Sequence, residues 1–311
     1  MLNAGGITMK SLIMCLQLSR LAETMSVLDE MDERLKDDTD RRKIHKAIST
    51  CNYVCGLYSV FYVGYNLSML VTTIFSSQPP WLIYNPFLDW RNGTVQLYLQ
   101  TLLEFTALNI AVFMNIVLDT SPIICMIAFR AHVEILKDHL RNLRTDPNKT
   151  EAENYKELVN GIKYYKLIVK CCDIMRPIMS RTITTQFMLI GAVLGLTMVG
   201  VMYSSDIFLK ISSIILVIAL LLETFPFCFL CDSLVEDSND LCNILGQSYW
   251  IDAERRYKST LRIFMQQVQQ PIIFIGFRTI RISVNSNIKV AKFAFSVLTV
   301  VKRMNLFEQF E

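Results

Sequence analysis

A chain of 311 residues that is 52% hydrophobic and 19% charged, with a mean hydropathy of +0.34, is too apolar for an ordinary soluble fold. Its 31 Lys and Arg against 28 Asp and Glu leave a net charge of only +3. The basic residues are divided among several segments with no aromatic-interleaved patch to grip phosphates, which argues against nucleic acid as a partner.

The charges crowd between long uncharged stretches, a block pattern that suits a bilayer and predicts an all-α, polytopic bundle of transmembrane helices. In chain order, residues 7–18 form an apolar run too short to cross alone, which holds Lys10. No basic leader precedes it, so no cleavable signal peptide is expected and insertion relies on an internal span. Residues 51–76 carry no charge over 26 positions and reach roughly 39 Å as a helix, enough to cross with tilt. After a loop with Pro79, Trp81 and Trp90, residues 96–128 form a second span that holds Glu104 and Asp119.

The segment 128–181 is dense in mixed charge. Ile135, Leu140 and Leu143, then Leu158, Ile162, Tyr165 and Ile168, stand at helical spacing, which predicts helices that continue the spans below the membrane. Residues 182–205 and 208–231 read as a tight helical hairpin, interrupted within its second arm by Glu223. A second cytoplasmic segment, 232–281, leads to 283–301, whose Lys289 and Lys292 allow a crossing only with a face on protein or water.

Orientation follows from the basic residues. Seven lie between the first two apolar runs and eleven between Arg130 and Arg181, whereas 77–95 has only Arg91. The positive-inside rule places 18–51 and 128–181 in the cytoplasm and the 77–96 loop outside; 232–281 is then also cytoplasmic, and the C-terminus is outside if 283–301 crosses. Asn92-Gly93-Thr94 is a glycosylation sequon in that outer loop; Asn66-Leu67-Ser68 falls inside a span and Asn148-Lys149-Thr150 in a cytoplasmic loop.

The nine cysteines lie in apolar runs or basic segments and none in the outer loop, so no disulfide framework is indicated. Cys228 and Cys231 form a C-x-x-C pair without a second pair at zinc spacing, and His45, His132 and His139 are distant in sequence. No metal site and no cofactor are expected. Gly191 and Gly195 make a G-x-x-x-G that permits close helix packing. Glu104, Asp119 and Glu223 serve either polar packing or a ligand or ion path. The aromatic residues of 51–76 either pack helices or line a pocket for a small apolar ligand. Nucleophile-elbow, phosphate-loop and zinc-protease motifs are absent, and no catalytic residue or enzyme activity is expected.

The C-terminal fifth is the most specific part. Trp250, Arg255-Arg256-Tyr257-Lys258, Gln269-Gln270-Pro271, Ser286-Asn287 and the run from Val290 to Val297 together resemble the closing region of insect odorant receptors. The resemblance continues through Thr224-Phe225-Pro226-Phe227-Cys228, Arg130-Ala131-His132, the motif from Pro79 to Phe87, and Leu28-Asp29-x-x-Asp32-x-Arg34, and so covers nearly the whole chain.

It implies a seven-span receptor with its N-terminus inside and C-terminus outside, in the plasma membrane of an olfactory neuron dendrite. It further implies a subunit that binds a volatile odorant and assembles with a shared coreceptor into a non-selective cation channel. Under it, Tyr62, Tyr65 and Met69 are the candidate ligand-binding residues, and Val297, Leu298 and Val301 the candidate pore constriction. The alternatives are a gustatory receptor of the same superfamily, a G-protein-coupled receptor or a transporter. Asn3-Ala4-Gly5-Gly6 resembles the middle of the family's second span, so the chain is expected to lack an N-terminal part. Gly276-Phe277-Arg278 departs from the small residues usual there.

Overall fold

The computed structural model describes residues 2–35, 37–76, 78–79, 83–203, 207–277 and 279–303, with side chains at 8–35, 37–64, 66–67, 70–71, 78–79, 83–195, 197, 223–277, 279–293, 295–296 and 299. Its α-helices are α1 (Leu2–Leu16), α2 (Leu18–Glu33), α3 (Asp38–Ser76), α4 (Thr94–Arg141), α5 (Glu151–Tyr203), α6 (Ile207–Gln247), α7 (Arg255–Val268) and α8 (Val284–Arg303). Contact clustering separates two units, residues 49–121 and a larger one of 1–48 with 122–311.

Helix starts are specified locally. Asp38 and Asp40 place negative charge on the first turn of α3, where the helix dipole favours it. Thr150 and Glu153 form a reciprocal capping box before α5. The Thr150 Oγ1 accepts from Glu153 N at 3.3 Å, and Glu153 Oε2 accepts from Thr150 N at 2.8 Å. Gly93, with φ of +150°, takes a conformation that side chains disfavour, and so turns the chain from the short 3-10 helix Trp90–Asn92 into α4.

In the larger unit, α5 is the central helix and packs against α1, α2, α6, α7 and α8. Its core is built at helical spacing. Phe129, Val133, Leu136 and Leu140 of α4, Leu158 and Ile168 of α5, and Leu234, Leu241 and Leu245 of α6 are all at most 1% exposed. Of the positions expected on a buried stripe, Ile135, Leu140, Leu143, Leu158, Tyr165 and Ile168 are buried, and Ile162 is half-buried. Helix α7 turns Tyr257, Leu261, Phe264 and Val268 inward and leaves Arg255, Arg256 and Arg262 outside.

Charge patterning adds a second layer of contacts. Asp237 of α6 accepts from Arg130 Nε at 2.8 Å and from Lys137 Nζ at 3.1 Å, and Asp240 also accepts from Lys137 at 3.1 Å. The basic α4 and acidic α6 thus meet as complementary faces.

A two-stranded antiparallel hairpin, β1 (Ile275–Gly276) and β2 (Ile280–Arg281), joins α7 to α8. Its turn puts Phe277 at φ of +51°, strained for a bulky side chain. Small residues are the easier choice there, so the departure noted at 276–278 places a strained residue in this turn; Arg278 lies outside the described residues.

The outer surface changes character along the helices. On α4 the strongly exposed large apolar residues run from Val95 to Val117, and between Leu118 and Phe187 every large apolar side chain is at least partly covered. Exposure resumes at Met188 on α5 and includes Phe225 and Phe229 on α6. Among the described residues, α4 and the part of α5 up to Gly195 are long and apolar enough to cross a membrane.

Candidate functional site

In the unit of residues 49–121, uncharged α3 residues face polar ones on α4. Tyr62 is half-buried, and its hydroxyl donates to Asp119 Oδ2 at 2.5 Å. Its ring meets Phe61 edge-on at 5.8 Å and Tyr58 at 6.4 Å. One turn along α3, Asn66 Nδ2 donates to Asn109 Oδ1 at 2.8 Å, and Asn66 is 2% exposed. This part of the unit is an aromatic surface with a short polar ladder.

The loop before α4 folds onto the start of that helix through Gln100 and Glu104, which are 2% and 6% exposed. Glu104 Oε1 accepts from the backbone N–H of Ile83 at 3.0 Å and from Gln100 Nε2 at 2.8 Å. Gln100 Nε2 also donates to the Ile83 carbonyl, and Asn85 Nδ2 donates to Gln100 Oε1, both at 3.0 Å. Irregular backbone without water must find such partners. Glu104 is thus a loop latch, and Gln100 and Asn85 are members that no sequence motif announces.

In the larger unit, α8 is held at its base. Asp232 Oδ2 accepts from the Val284 N–H at 2.8 Å and its Oδ1 from Arg281 at 3.0 Å, while Ser283 Oγ accepts from Ser286 N at 3.2 Å. These satisfy backbone donors that a helix start leaves open. Gly191 of α5 lies close to α8, where an added Cβ would stand 4.0 Å from Val290, whereas Gly195 faces open space. The small-residue pair therefore serves α5–α8 packing at its first member. Two open apolar grooves flank α8. One, of about 630 Å³, lies beside Phe225, Ile288 and Phe295 with Lys292; the other, of about 390 Å³, lies beside Phe187, Met188 and Phe293 with Lys289. Both lysines are exposed.

Of the residues singled out from the sequence, Tyr62 is placed beside Asp119. The side chains of Tyr65, Met69, Val297, Leu298 and Val301 lie outside the described residues.

In the charged helices, His132 is 2% exposed, with Nδ1 2.7 Å from Tyr164 Oη and Nε2 3.7 Å from Asp32. Burial pushes His132 down to about 4 and raises the Tyr164 phenol. The Cys171 thiol, which donates to the Thr24 carbonyl, is pushed up to about 12, first by burial.

A profile of the 7tm Odorant receptor family matches residues 2–295. Odorant receptor 59b of Drosophila melanogaster is 50% identical over 310 residues, which are 100% of this chain and 78% of that protein. Odorant receptor 42b of the same species is 43% identical over 310 residues, with the same coverage. Among solved structures, the insect olfactory receptor OR5 from Machilis hrabei in complex with eugenol superposes with a TM-score of 0.75 at 14% identity, over 97% of this chain and 80% of that one.

Proposed function

The chain belongs to the insect odorant receptor family, and we propose that it is the odour-binding subunit of an odour-gated, non-selective cation channel. The observation that carries this reading is the 50% identity with Odorant receptor 59b across the full length of the chain. In the proposal the chain sits as a multi-pass protein in the plasma membrane of olfactory neuron dendrites, with its N-terminus inside, and assembles with the shared coreceptor through the charged helices of 128–181 and 232–281. Volatile odorants bind through Tyr62, Tyr65 and Met69 of α3, and Val297, Leu298 and Val301 of α8 form an apolar constriction that gates by dewetting. The exposed lysines of α8 support its reading as a helix with a watery face. The eugenol bound to the Machilis hrabei receptor supports a small volatile organic molecule as the ligand class.

The test is current recording from cells that express this chain with the coreceptor, against a panel of volatiles. Odour-evoked current is expected, and its absence at normal surface level would overturn the reading. Tyr62→Phe removes the hydroxyl that reaches Asp119, with the ring kept. It is expected to shift the half-maximal odour concentration by about threefold or more, the rate-scale equivalent of one modest hydrogen bond, with direct activation of the coreceptor unchanged. Equal loss of both responses would remove Tyr62 from the site.

A further inference from the structure

Glu223 is an acid within the apolar run of α6, and its contacts reach two other helices. Its Oε1 accepts from Gln186 Nε2 of α5 at 2.6 Å and stands 3.3 Å from Lys10 Nζ of α1. Lys10 is 5% exposed and Gln186 is 6% exposed, so the pair is shielded on the α1 and α5 sides. The next residue, Thr224, turns to the other side and donates its hydroxyl to Asn287 Oδ1 of α8 at 3.0 Å, with both residues buried. Further along α6, Asp232 holds the first turn of α8 and Arg281 before it. Helix α6 therefore carries polar contacts to α1 and α5 on one face and to α8 on the other, with Glu223 and Thr224 adjacent at the crossing point.

Stability alone gives no reason for this arrangement. A buried ion pair contributes about as much as well-packed apolar side chains of the same volume, because desolvation offsets its attraction, whereas loss of one partner is strongly destabilising. What the pair does have is two discrete states, made and broken, which can bias a helix packing that is itself bistable. We propose that Lys10, Gln186 and Glu223 form a polar latch that fixes α6 and, through Thr224 and Asn287, positions the base of α8 in the resting channel. The inference rests on the reading of α8 as the pore helix and adds the residues that hold it before odour arrives. Glu223 and Lys10 are positioning residues in this account, since they act on α8 through Thr224 and Asn287.

The experiment measures the ratio of odour-free to odour-evoked current, together with surface level, in cells that express the chain with the coreceptor. Lys10→Met and Glu223→Gln each remove one charge and are expected to raise that ratio by about fivefold or more, the lower range of couplings between sites. Lys10→Glu combined with Glu223→Lys restores the attraction with the charges exchanged and is expected to bring the ratio back. A packing role alone would lower the number of channels at the surface and leave the ratio unchanged.

Thr224→Val, nearly isosteric and without an unpaired charge, tests the link to α8 in a chain that folds; it is expected to raise the ratio, and Thr224→Ser to keep it. An unchanged ratio in Thr224→Val, or a charge exchange no better than the two single changes, overturns the latch. Absence of any odour-evoked current from the unaltered chain would count against the functional reading alone. The melting midpoints of the detergent-solubilised variants then decide the pair, with rescue by charge exchange in its favour and additive losses against it.

Discussion

His132 shows how a residue's surroundings settle a question its type leaves open. The side chain is almost fully buried in the charged helices, beside Tyr164 and Asp32, and its pKa falls to about 4. Burial penalises the imidazolium, and the folded chain therefore keeps His132 neutral where the unfolded chain protonates it near 6.5. Below that pH the unfolded state binds more protons, so this contribution is complete above about pH 6.5 and is lost as pH falls towards 4. Its size is on the order of 3 kcal/mol. Asp32, raised by desolvation and then by Asp29, works with the opposite sign at the acidic end of that window, but it is largely exposed. The melting midpoint of the solubilised chain is expected to drop between pH 7 and pH 5, and less so with His132→Gln. Identical pH slopes in the two chains would remove His132 as the cause. Three histidines far apart in sequence give no hint of this, because the partner Tyr164 comes from another helix.

At the scale of elements, apolar spacing marks the inner face of a helix but not its surroundings. Helix α7 has Tyr257, Leu261, Phe264 and Val268 on one face, and that stripe is legible in the sequence. Leu261 is fully buried and Arg262 beside it is exposed. Leu261→Ala is expected to cost about 2–5 kcal/mol and Arg262→Ala under about 0.5 kcal/mol, read from thermal or denaturant unfolding of the solubilised chain; equal costs would sink the assignment of the inner face.

The run 96–128 is a harder case. Its exposed apolar band ends at Val117, and Leu118, Ile123, Cys125 and Met126 are buried. Hydropathy cannot tell a side chain that meets lipid from one that meets protein, so a span that continues into a packed helix reads too long. The hairpin 275–281 was hidden for another reason: two-residue strands leave no periodic trace. The polar contacts of Asn85 with Gln100 and of Gln186 with Glu223 are long-range pairings that no local pattern encodes. Lys10, Glu104, Asp119 and Glu223 were visible as costly residues in apolar runs, although their partners were not.

For the whole molecule, charge and surface together bear on orientation. Eleven Lys and Arg lie between Arg130 and Arg181, against Arg91 alone in 77–95, a bias that under the positive-inside rule favours a cytoplasmic basic segment. The surface agrees with such a division, since the exposed apolar band of α4 from Val95 to Val117 spans roughly 34 Å, about one bilayer. Beyond it, the solvent faces of α4 and α5 carry residues such as Arg141, Lys156, Lys163 and Lys170, all exposed. Two loops then lie at opposite ends of α4, and each contains an exposed sequon, at Asn92 and at Asn148, while the third, at Asn66, is buried in a helix. An epitope inserted beside Asn92 is expected to stain on intact cells, and one beside Asn148 only after permeabilisation. Independently, any glycan removed by endoglycosidase is expected to vanish with Asn92→Gln and to persist with Asn148→Gln. Staining of the Asn148 loop on intact cells, or a glycan that depends on Asn148, would reverse the orientation and move the charged helices out of the cytoplasm where the coreceptor contacts are placed.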